Sequence, residues 1–530
     1  MESTVSDPPT RTGSVVSRSR GATAGVVAAM AALGVSELLS GLSGRIPSLV
    51  LSVADVFIAK TPGGIVRWSI DTFGTSQKTV LVTGIVAVSL LLGGCFGIVA
   101  RRSLRRGAVG FAVFGAVGGW AAARATLTSD TWGWLAAVMA AATGIAALSV
   151  LLPPPRTARR ARPGTAATTA LAGVVDRRRF LVASGAVAAV GALGGGIGRL
   201  LRQARNVEAA RQRLATELDT EPPPLPPDIA AFGRAVDGIS PIVTSNADFY
   251  RIDTRILVPQ VDPGDWSLRI TGMVDKEVEL TFDDLLAMDR ISEYVTIQCV
   301  SNEVGGDLVG NALWSGVPLT DLLERAGPRP DATQIVGRAV DGWTAGFPTD
   351  VLADDRPAMV AVTMNGEPLP VKHGFPARLI VPGLYGYVSA TKWLSEIELT
   401  TWEAFDGYWI PRGWSKEGPI KTQSRIDVPR SGATLPAGRT AIAGVAWAPT
   451  RSIERVECRV DDEPWKQARL SGALSENTWV QWLSEWDATP GAHRLQVRAT
   501  DGHGNTQTAE LAPPAPSGAT GYHTIRVDVS

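Results

Sequence analysis

Tyr294–Gly327, YVTIQCVSNEVGGDLVGNALWSGVPLTDLLERAG, decides how the soluble part of this chain is read. Val295 and Ile297 alternate with polar residues, which predicts a short strand with Cys299 at its end. A loop rich in Gly, Ser and Asn follows. Leu319–Arg325 then reads as a helix packed through Leu319, Leu322 and Leu323. A thiol at a strand end, backed by a glycine loop, leaves room for something large. Taken alone it is equally a small buried hydrophobe.

Two more stretches carry chemistry. Lys372–Trp393, KHGFPARLIVPGLYGYVSATKW, brings His373, Arg378 and Lys392 onto an apolar strand and the glycine loop after it. Arg, Lys and glycine-loop N–H groups are what a phosphate requires. Upstream, Asp248–Val258, DFYRIDTRILV, leads into strands and offers Tyr250 and Arg251. Trp266–Val274 and Val278–Leu280 read as strands around a turn, and Phe282–Met288 as a short helix. Gln334–Asp341 and Trp343–Phe347 suggest a hairpin, with Asp341 before Gly342 where a turn aspartate is expected.

From about Phe249 onward these segments, in this order, resemble the sulfite oxidase family of molybdopterin enzymes. The CVSNEVGGDLVGNALWSGVPLTDLL run and the His-Arg-Pro-Gly-Lys-Trp pattern carry the likeness. The resemblance implies that Cys299 is the protein ligand to molybdenum. It implies that Tyr250, Arg251, Asp341, His373, Arg378, Ser389, Thr391 and Lys392 lie against the molybdenum cofactor, with Arg251 also facing substrate. A soft thiolate suits a metal already held by dithiolene sulfurs.

The first 200 residues have a different character. Gly21–Gly41, Thr79–Ala100, Ala108–Ala123, Trp132–Leu152 and Phe180–Ile197 are apolar runs, and about five transmembrane helices are expected. Ile46–Ala59, shorter and broken by Asp55, reads as interfacial or re-entrant. Arg11, Arg18 and Arg20, then Arg101, Arg102, Arg105 and Arg106, then Arg156, Arg159, Arg160, Arg162 and Arg177–Arg179 fall on one side if the N-terminus is cytoplasmic. Everything after Arg199 is then extracytoplasmic, although Arg199, Arg202 and Arg205 run against the rule. Asp176–Leu181, DRRRFL, resembles a twin-arginine export motif, and an ordinary arginine flank before a helix is the alternative. That route carries folded proteins, which suits a cofactor installed in the cytoplasm.

All four histidines lie at or after His373, so no paired histidines are available for haem in the membrane segment. The three cysteines, Cys95, Cys299 and Cys458, are too scattered for a disulfide framework. The net charge of zero implies no bulk attraction to nucleic acid. Leu200–Leu218 reads as a polar helix, and Glu221–Asp228, EPPPLPPD, as a stiff spacer. Tyr408–Trp414, YWIPRGW, suits a pocket wall or an interdomain seam.

The C-terminal part predicts strands at Ile426–Val428, Thr440–Trp447, Ile453–Val460, Thr478–Trp486, His493–Thr500 and Thr524–Val529, the pattern of a β-sandwich. Cys458 shares the core face with Val456 and Val460. His493, His503 and His523 look like turn or edge residues. The segment GVAWAPTRSIERVECRVDDEPW resembles the family's immunoglobulin-like dimerisation domain, which implies a homodimer.

The expected fold class is therefore α+β. A membrane domain (1–200) is followed by a helical and Pro-rich linker (201–240), a molybdopterin-binding oxidoreductase domain (241–418) and an immunoglobulin-like domain (419–530). The expected activity is oxygen-atom transfer to or from a small substrate, with a separate redox partner: a cytochrome, a membrane subunit or quinone. No arginine occurs in Val300–Val304, where sulfite oxidases place one, and a family arginine is missing from Gly518–Arg526. Sulfite is a dianion, so an S-oxide or N-oxide is the expected substrate class. The alternative is a non-catalytic surface protein that uses its sandwich to bind a partner.

Overall fold

The computed structural model describes residues 17–73, 76–124, 130–152, 166–204, 207–218 and 222–530. Arg11, Arg156, Arg159, Arg160, Arg162, Arg205 and Glu221, used above, lie outside them. The chain divides into two compact units, one of residues up to 206 together with Arg255–Leu257, the other of Val207–Thr254 and Val258–Ser530.

The first unit is helical: α1 (Arg18–Leu42), α2 (Leu49–Lys60), α3 (Gly63–Phe73), α4 (Gln77–Ala100), α5 (Leu104–Ala122), α6 (Asp130–Leu151) and α7 (Ala166–Ala204). Among the described residues, four helical stretches are long and apolar enough to cross a membrane: Arg18–Leu42, Gln77–Ala100, Thr131–Leu151 and Arg177–Arg202. The expected five is thus corrected to four. α5 is not among them because Arg105 and Arg106 occupy its first turn and glycines dilute the rest of its 19 residues. Residues 49–60, read as interfacial, form a full helix.

Glycines set the helix directions by letting backbones touch. A Cβ on Gly25 would stand 2.0 Å from Gly93 O, and one on Gly97 2.1 Å from Gly21 O, so α1 and α4 run antiparallel. Gly34 meets Gly191 and Gly41 meets Gly198 in the same way, so α1 and α7 run parallel. The bundle therefore gathers Arg18, Arg20, Arg101, Arg102 and Arg177–Arg179 at one end; Arg20 lies over the Phe180 ring there. At the other end Arg202 pairs with Glu37 at 2.6 Å, and Ser48 Oγ donates to the same carboxylate.

In the second unit, helices α8 (Glu208–Glu217) and α9 (Pro227–Gly233) precede two sheets. The first has strands β1 (Ser267–Gly272), β2 (Val278–Thr281), β5 (Gln334–Ala339), β6 (Thr344–Pro348) and β10 (Leu394–Thr400), ordered β2-β1-β10-β5-β6 with β1 and β10 parallel. The second has β3 (Ile291–Gln298), β4 (Val309–Pro318), β7 (Met359–Met364) and β8 (Glu367–Pro368) in that order, with β9 (Arg378–Ile380) on β7. Helix α10 (Phe282–Leu286) starts in a Thr281–Asp284 capping box. Helix α11 (Leu319–Ala326) ends at Gly327, whose φ of 66° is the left-handed conformation such a cap needs. The glycine-rich loop read after Cys299 is shorter than expected: residues 309–318 form β4, buried along nearly its whole length.

The C-terminal strands β11 (Gln423–Val428), β12 (Thr434–Leu435), β13 (Gly438–Trp447), β14 (Ile453–Val460), β15 (Lys466–Gln467), β16 (Arg469–Leu470), β17 (Val480–Ala488), β18 (Gly491–Asp501) and β19 (His523–Val529) build two sheets. All six predicted strands are there. Ile442, Val456, Cys458, Trp482, Val497 and Val527 form one core, which makes Cys458 a packing residue. Val445, Trp447 and Trp479 belong instead to the core that holds Leu319, Leu384 and Tyr385, so the C-terminal sheets and the cofactor-type sheets share apolar interior.

Candidate active site

Cys299 follows β3 directly, and its half-buried thiol lies 2.9 Å from Ser301 Oγ. The strand is fixed from inside by Val295 and Ile297, packed with Phe249, Trp314 and Phe375. Burial pushes the thiol above its ordinary value, with Ser301 opposing. Bonding to a metal cation is what would turn such a thiol into a thiolate.

The FYR segment and the region from His373 to Lys392 close on this strand. Phe249 stacks on Tyr250 at 5.3 Å and meets Trp314 and His373 edge-on at 5.7 Å. Burial drives the Tyr250 phenol far above its usual range, with the neighbouring Cys299 adding to the shift and Arg378 opposing it. His373 is 1% exposed and its Nε2–H donates to Asn246 O at 3.2 Å. Burial, then Arg378 and Lys392, lower its pKa to about 3, so it is a neutral donor. Arg378 is buried, lies over the Trp314 ring and donates through Nη1 to His373 O at 3.0 Å. Desolvation lowers it to about 10. Lys392, lowered to about 8 by burial and raised in part by Asp253, donates to that carboxylate and to Ile252 O. Arg251 pairs with Asp253 from the other side and is itself exposed.

Tyr250, Arg251, Cys299, His373, Arg378 and Lys392 thus form one neighbourhood. Ser389 and Asp341 make bonds within their own turns, and Thr391 faces β5. Ser389 Oγ donates to Tyr385 O at 3.1 Å in its own turn. Thr391 Oγ1 faces Gly337, where a Cβ would come within 2.5 Å. Asp341 Oδ1 accepts from Trp343 N at 3.0 Å, the turn geometry expected before Gly342. Trp414 packs against Tyr387 and Trp409 beside the shared core.

Several site groups escaped the sequence reading. Asp253 has its signal in the Arg251-x-Asp253 alternation. Tyr385, 1% exposed, sits in the LYGY loop, and burial followed by Cys299 raises its phenol to about 12. His523, at the start of β19, packs its ring on Gly305 of the cysteine loop, a contact that a turn or edge position does not signal.

Whether these residues fit a cofactor can be tested from the polar atoms. Gln298 Nε2, Asn302 Nδ2, Arg378 Nε, Tyr385 OH and Thr391 Oγ1 are buried without a hydrogen-bond partner in the polypeptide. Such atoms are costly in native proteins; others occur elsewhere among the described residues, and these five lie on the cysteine, Arg378 and LYGY segments. A polar ligand with several acceptors, bonded to a soft donor, matches that set. Among the described residues no group of three or more His, Cys, Asp or Glu side chains could hold a metal ion.

The family described as oxidoreductase molybdopterin binding domain matches residues 255–409. The uncharacterized oxidoreductase YuiH of Bacillus subtilis is 36% identical over 153 residues, which is 29% of this chain and 74% of that protein. Human mitochondrial sulfite oxidase is 28% identical over 320 residues, 51% of this chain and 58% of its own length. Among solved structures, the sulfane dehydrogenase SoxCD of Paracoccus pantotrophus shares 23% identity, over 58% of this chain and 91% of that one, with a TM-score of 0.47. The chain belongs to the sulfite oxidase family of molybdopterin-binding oxidoreductases, with the molybdenum cofactor as its prosthetic group. It spans little more than half the length of the curated sulfite oxidase it matches.

Proposed function

We propose that this protein is a membrane-anchored, extracytoplasmic oxidoreductase that moves an oxygen atom to or from a small uncharged oxide rather than oxidising sulfite. When bound, the cofactor supplies two-electron oxygen-atom chemistry. Cys299 would be the protein ligand to its metal. Arg378, Lys392 and neutral His373 would hold its polar ring and phosphate, with Tyr250 and Arg251 at the mouth.

The observation that carries the substrate reading is that the loop after Cys299 brings no cation to it. Arg251, the cation at the mouth, is paired with Asp253. No arginine follows Cys299 in the loop, and Glu303 there is exposed. A dianion needs charge-assisted donors at the metal. The uncharged donors Asn302 Nδ2 and Tyr385 OH suit a neutral oxide better.

The helical unit supports the location. Parallel α1 and α7 let the chain enter and leave the bundle at opposite ends, and the arginines gather at the entry end, the cytoplasmic one by the positive-inside rule. Arg202, at the other end, is neutralised by Glu37, which removes its conflict with that rule. A separate one-electron carrier would exchange electrons with the centre, and the C-terminal sheets would serve a homodimer.

The test uses detergent-solubilised protein and its Cys299→Ser variant, with molybdenum and pterin measured per chain. Wild type should contain both, and should turn over S-oxides or N-oxides with reduced viologen. The variant should keep pterin and lose turnover. Efficient sulfite-dependent electron transfer at low substrate would refute the substrate reading, and absence of metal and pterin would refute the enzyme.

A further inference from the structure

We infer that Arg425 and His523, carried by the C-terminal sheets, act as positioning residues for the loop that bears Cys299. The inference rests on Cys299 being the metal-binding residue.

The loop of residues 299–308 is braced at its base. Cys299 N donates to Leu308 O at 2.9 Å, Asn302 N to Cys299 O at 3.0 Å, and Leu308 N to Asn302 Oδ1 at 2.8 Å. Its tip, residues 303–307, contains two adjacent glycines and one internal bond, Gly306 N to Glu303 O. Nothing in that local sequence would hold the tip still.

The C-terminal module holds it. Arg425, on β11, donates through Nη1 to Gly306 O at 2.8 Å. Its Nη2 donates to Ser240 Oγ at 2.8 Å and its Nε to Asp427 Oδ1 at 2.7 Å. The side chain is 12% exposed, so this guanidinium is committed to the interior. His523, on β19, presses its ring on Gly305: a Cβ there would lie 2.2 Å from Nε2 and Cδ2. Gly305 has a φ of 81°, a conformation that favours glycine, so the site demands glycine twice over. The ring is oriented in turn by Ile426 N, which donates to Nδ1 at 2.9 Å.

The strand before Cys299 is gripped as well. Trp447 Nε1 donates to Gln298 Oε1 at 2.7 Å, Trp479 N to Thr296 Oγ1 at 2.8 Å, and Thr296 N to Asn477 O at 2.9 Å. The thiol therefore sits between two anchor points, both supplied by the C-terminal module. A metal ligand is only as well placed as the groups that orient it.

The experiment compares full-length wild type with Arg425→Met and His523→Phe in detergent. Three quantities are read: turnover per bound molybdenum, the line shape of the molybdenum(V) electron paramagnetic resonance signal, and amide hydrogen exchange at 303–307. Loss of the outer support should lower turnover per molybdenum by roughly 10–100-fold, change the line shape, and speed exchange at the tip about tenfold or more. The phenylalanine variant keeps ring bulk, so it remains informative if Arg425→Met fails to fold. A variant that merely loses cofactor, with normal turnover per remaining molybdenum and an unchanged signal, overturns the inference. So does unchanged exchange at the tip. Exchange can also be compared between wild type and variants at equal cofactor content, so it tests the clamp even in preparations without molybdenum, an outcome that would count against the proposed function instead.

Discussion

Replacing Asp253 by Asn should cost stability in a pH-dependent way. The Asp253 side chain is 4% exposed and that of Lys392 is 14% exposed. Removing one partner of a buried pair strands the other, at a cost of about 3–5 kcal/mol. The exposed Arg251 adds little, since such pairs are worth about 1 kcal/mol or less. Lys392 can escape by losing its proton. Burial already brings its pKa to about 8, below its ordinary 10.5, with Asp253 opposing the fall, so loss of Asp253 lowers it further. Because the folded-state pKa is depressed, the folded state takes up the Lys392 proton less readily than the unfolded chain does. The penalty for a charged Lys392 is therefore largest well below pH 8 and fades as the pH rises towards the unfolded value. Deprotonation of Lys392 caps the loss at about 3 kcal/mol near pH 6, and denaturant unfolding, followed by tryptophan fluorescence of the full chain in detergent, should show a loss approaching that near pH 6 and less than half of it near pH 9. A loss below about 1 kcal/mol near pH 6, or the same loss at both pH values, would show that the pair is not the buried, coupled unit described here.

Three further outcomes are expected. Trp447→Phe leaves Gln298 Oε1 without its donor and should cost about 1–3 kcal/mol in the same unfolding assay, so a change within experimental error would contradict the bond. Gly25→Leu should abolish a monodisperse detergent-solubilised species on size exclusion, since even a Cβ there meets Gly93 O at 2.0 Å, whereas Gly185→Ala, with nothing within 4 Å, should not. His523 is held at about 4, below its ordinary 6.5, by burial and then Arg425, with Asp427 opposing. Between those values only the unfolded chain takes up the proton, so wild-type stability should fall by at most about 3 kcal/mol as pH drops from about 6.5 to about 4. His523→Phe should lack that part of the slope, and identical slopes in the two proteins would be the contrary result.

The periodic segments were legible in the sequence because burial and pattern agree there: the strands from Ile426 to Val529, α11 with its Gly327 cap, and the apolar helices. β4 was hidden because it is buried on both faces and so lacks alternation, and its Gly310, Asn311, Ser315 and Gly316 resemble loop residues. The helix count failed at α5, where glycines that serve close packing lower the hydropathy. Cys299, His373, Arg378 and Lys392 were found because chemistry-bearing residue types recur there in motif order. Asp253 and Tyr385 owe their importance to burial and neighbours, which no single stretch records. Arg425 and His523 contact residues far away in the chain, a relation that local pattern cannot express.

The grip on the cysteine loop also bears on how the protein is made. Gly305 and Gly306 emerge early in synthesis, but the ring that rests on one of them belongs to β19, roughly two hundred residues later. Domains that fold as they emerge from the ribosome do so from the N-terminal side. Here a nascent chain carrying the whole molybdopterin-type segment still has an unsupported cysteine loop until β19 has docked. Chains that are stalled or clipped before that point would therefore be unable to hold the thiol in its final place. Docking of β19 thus completes the support of the cysteine loop.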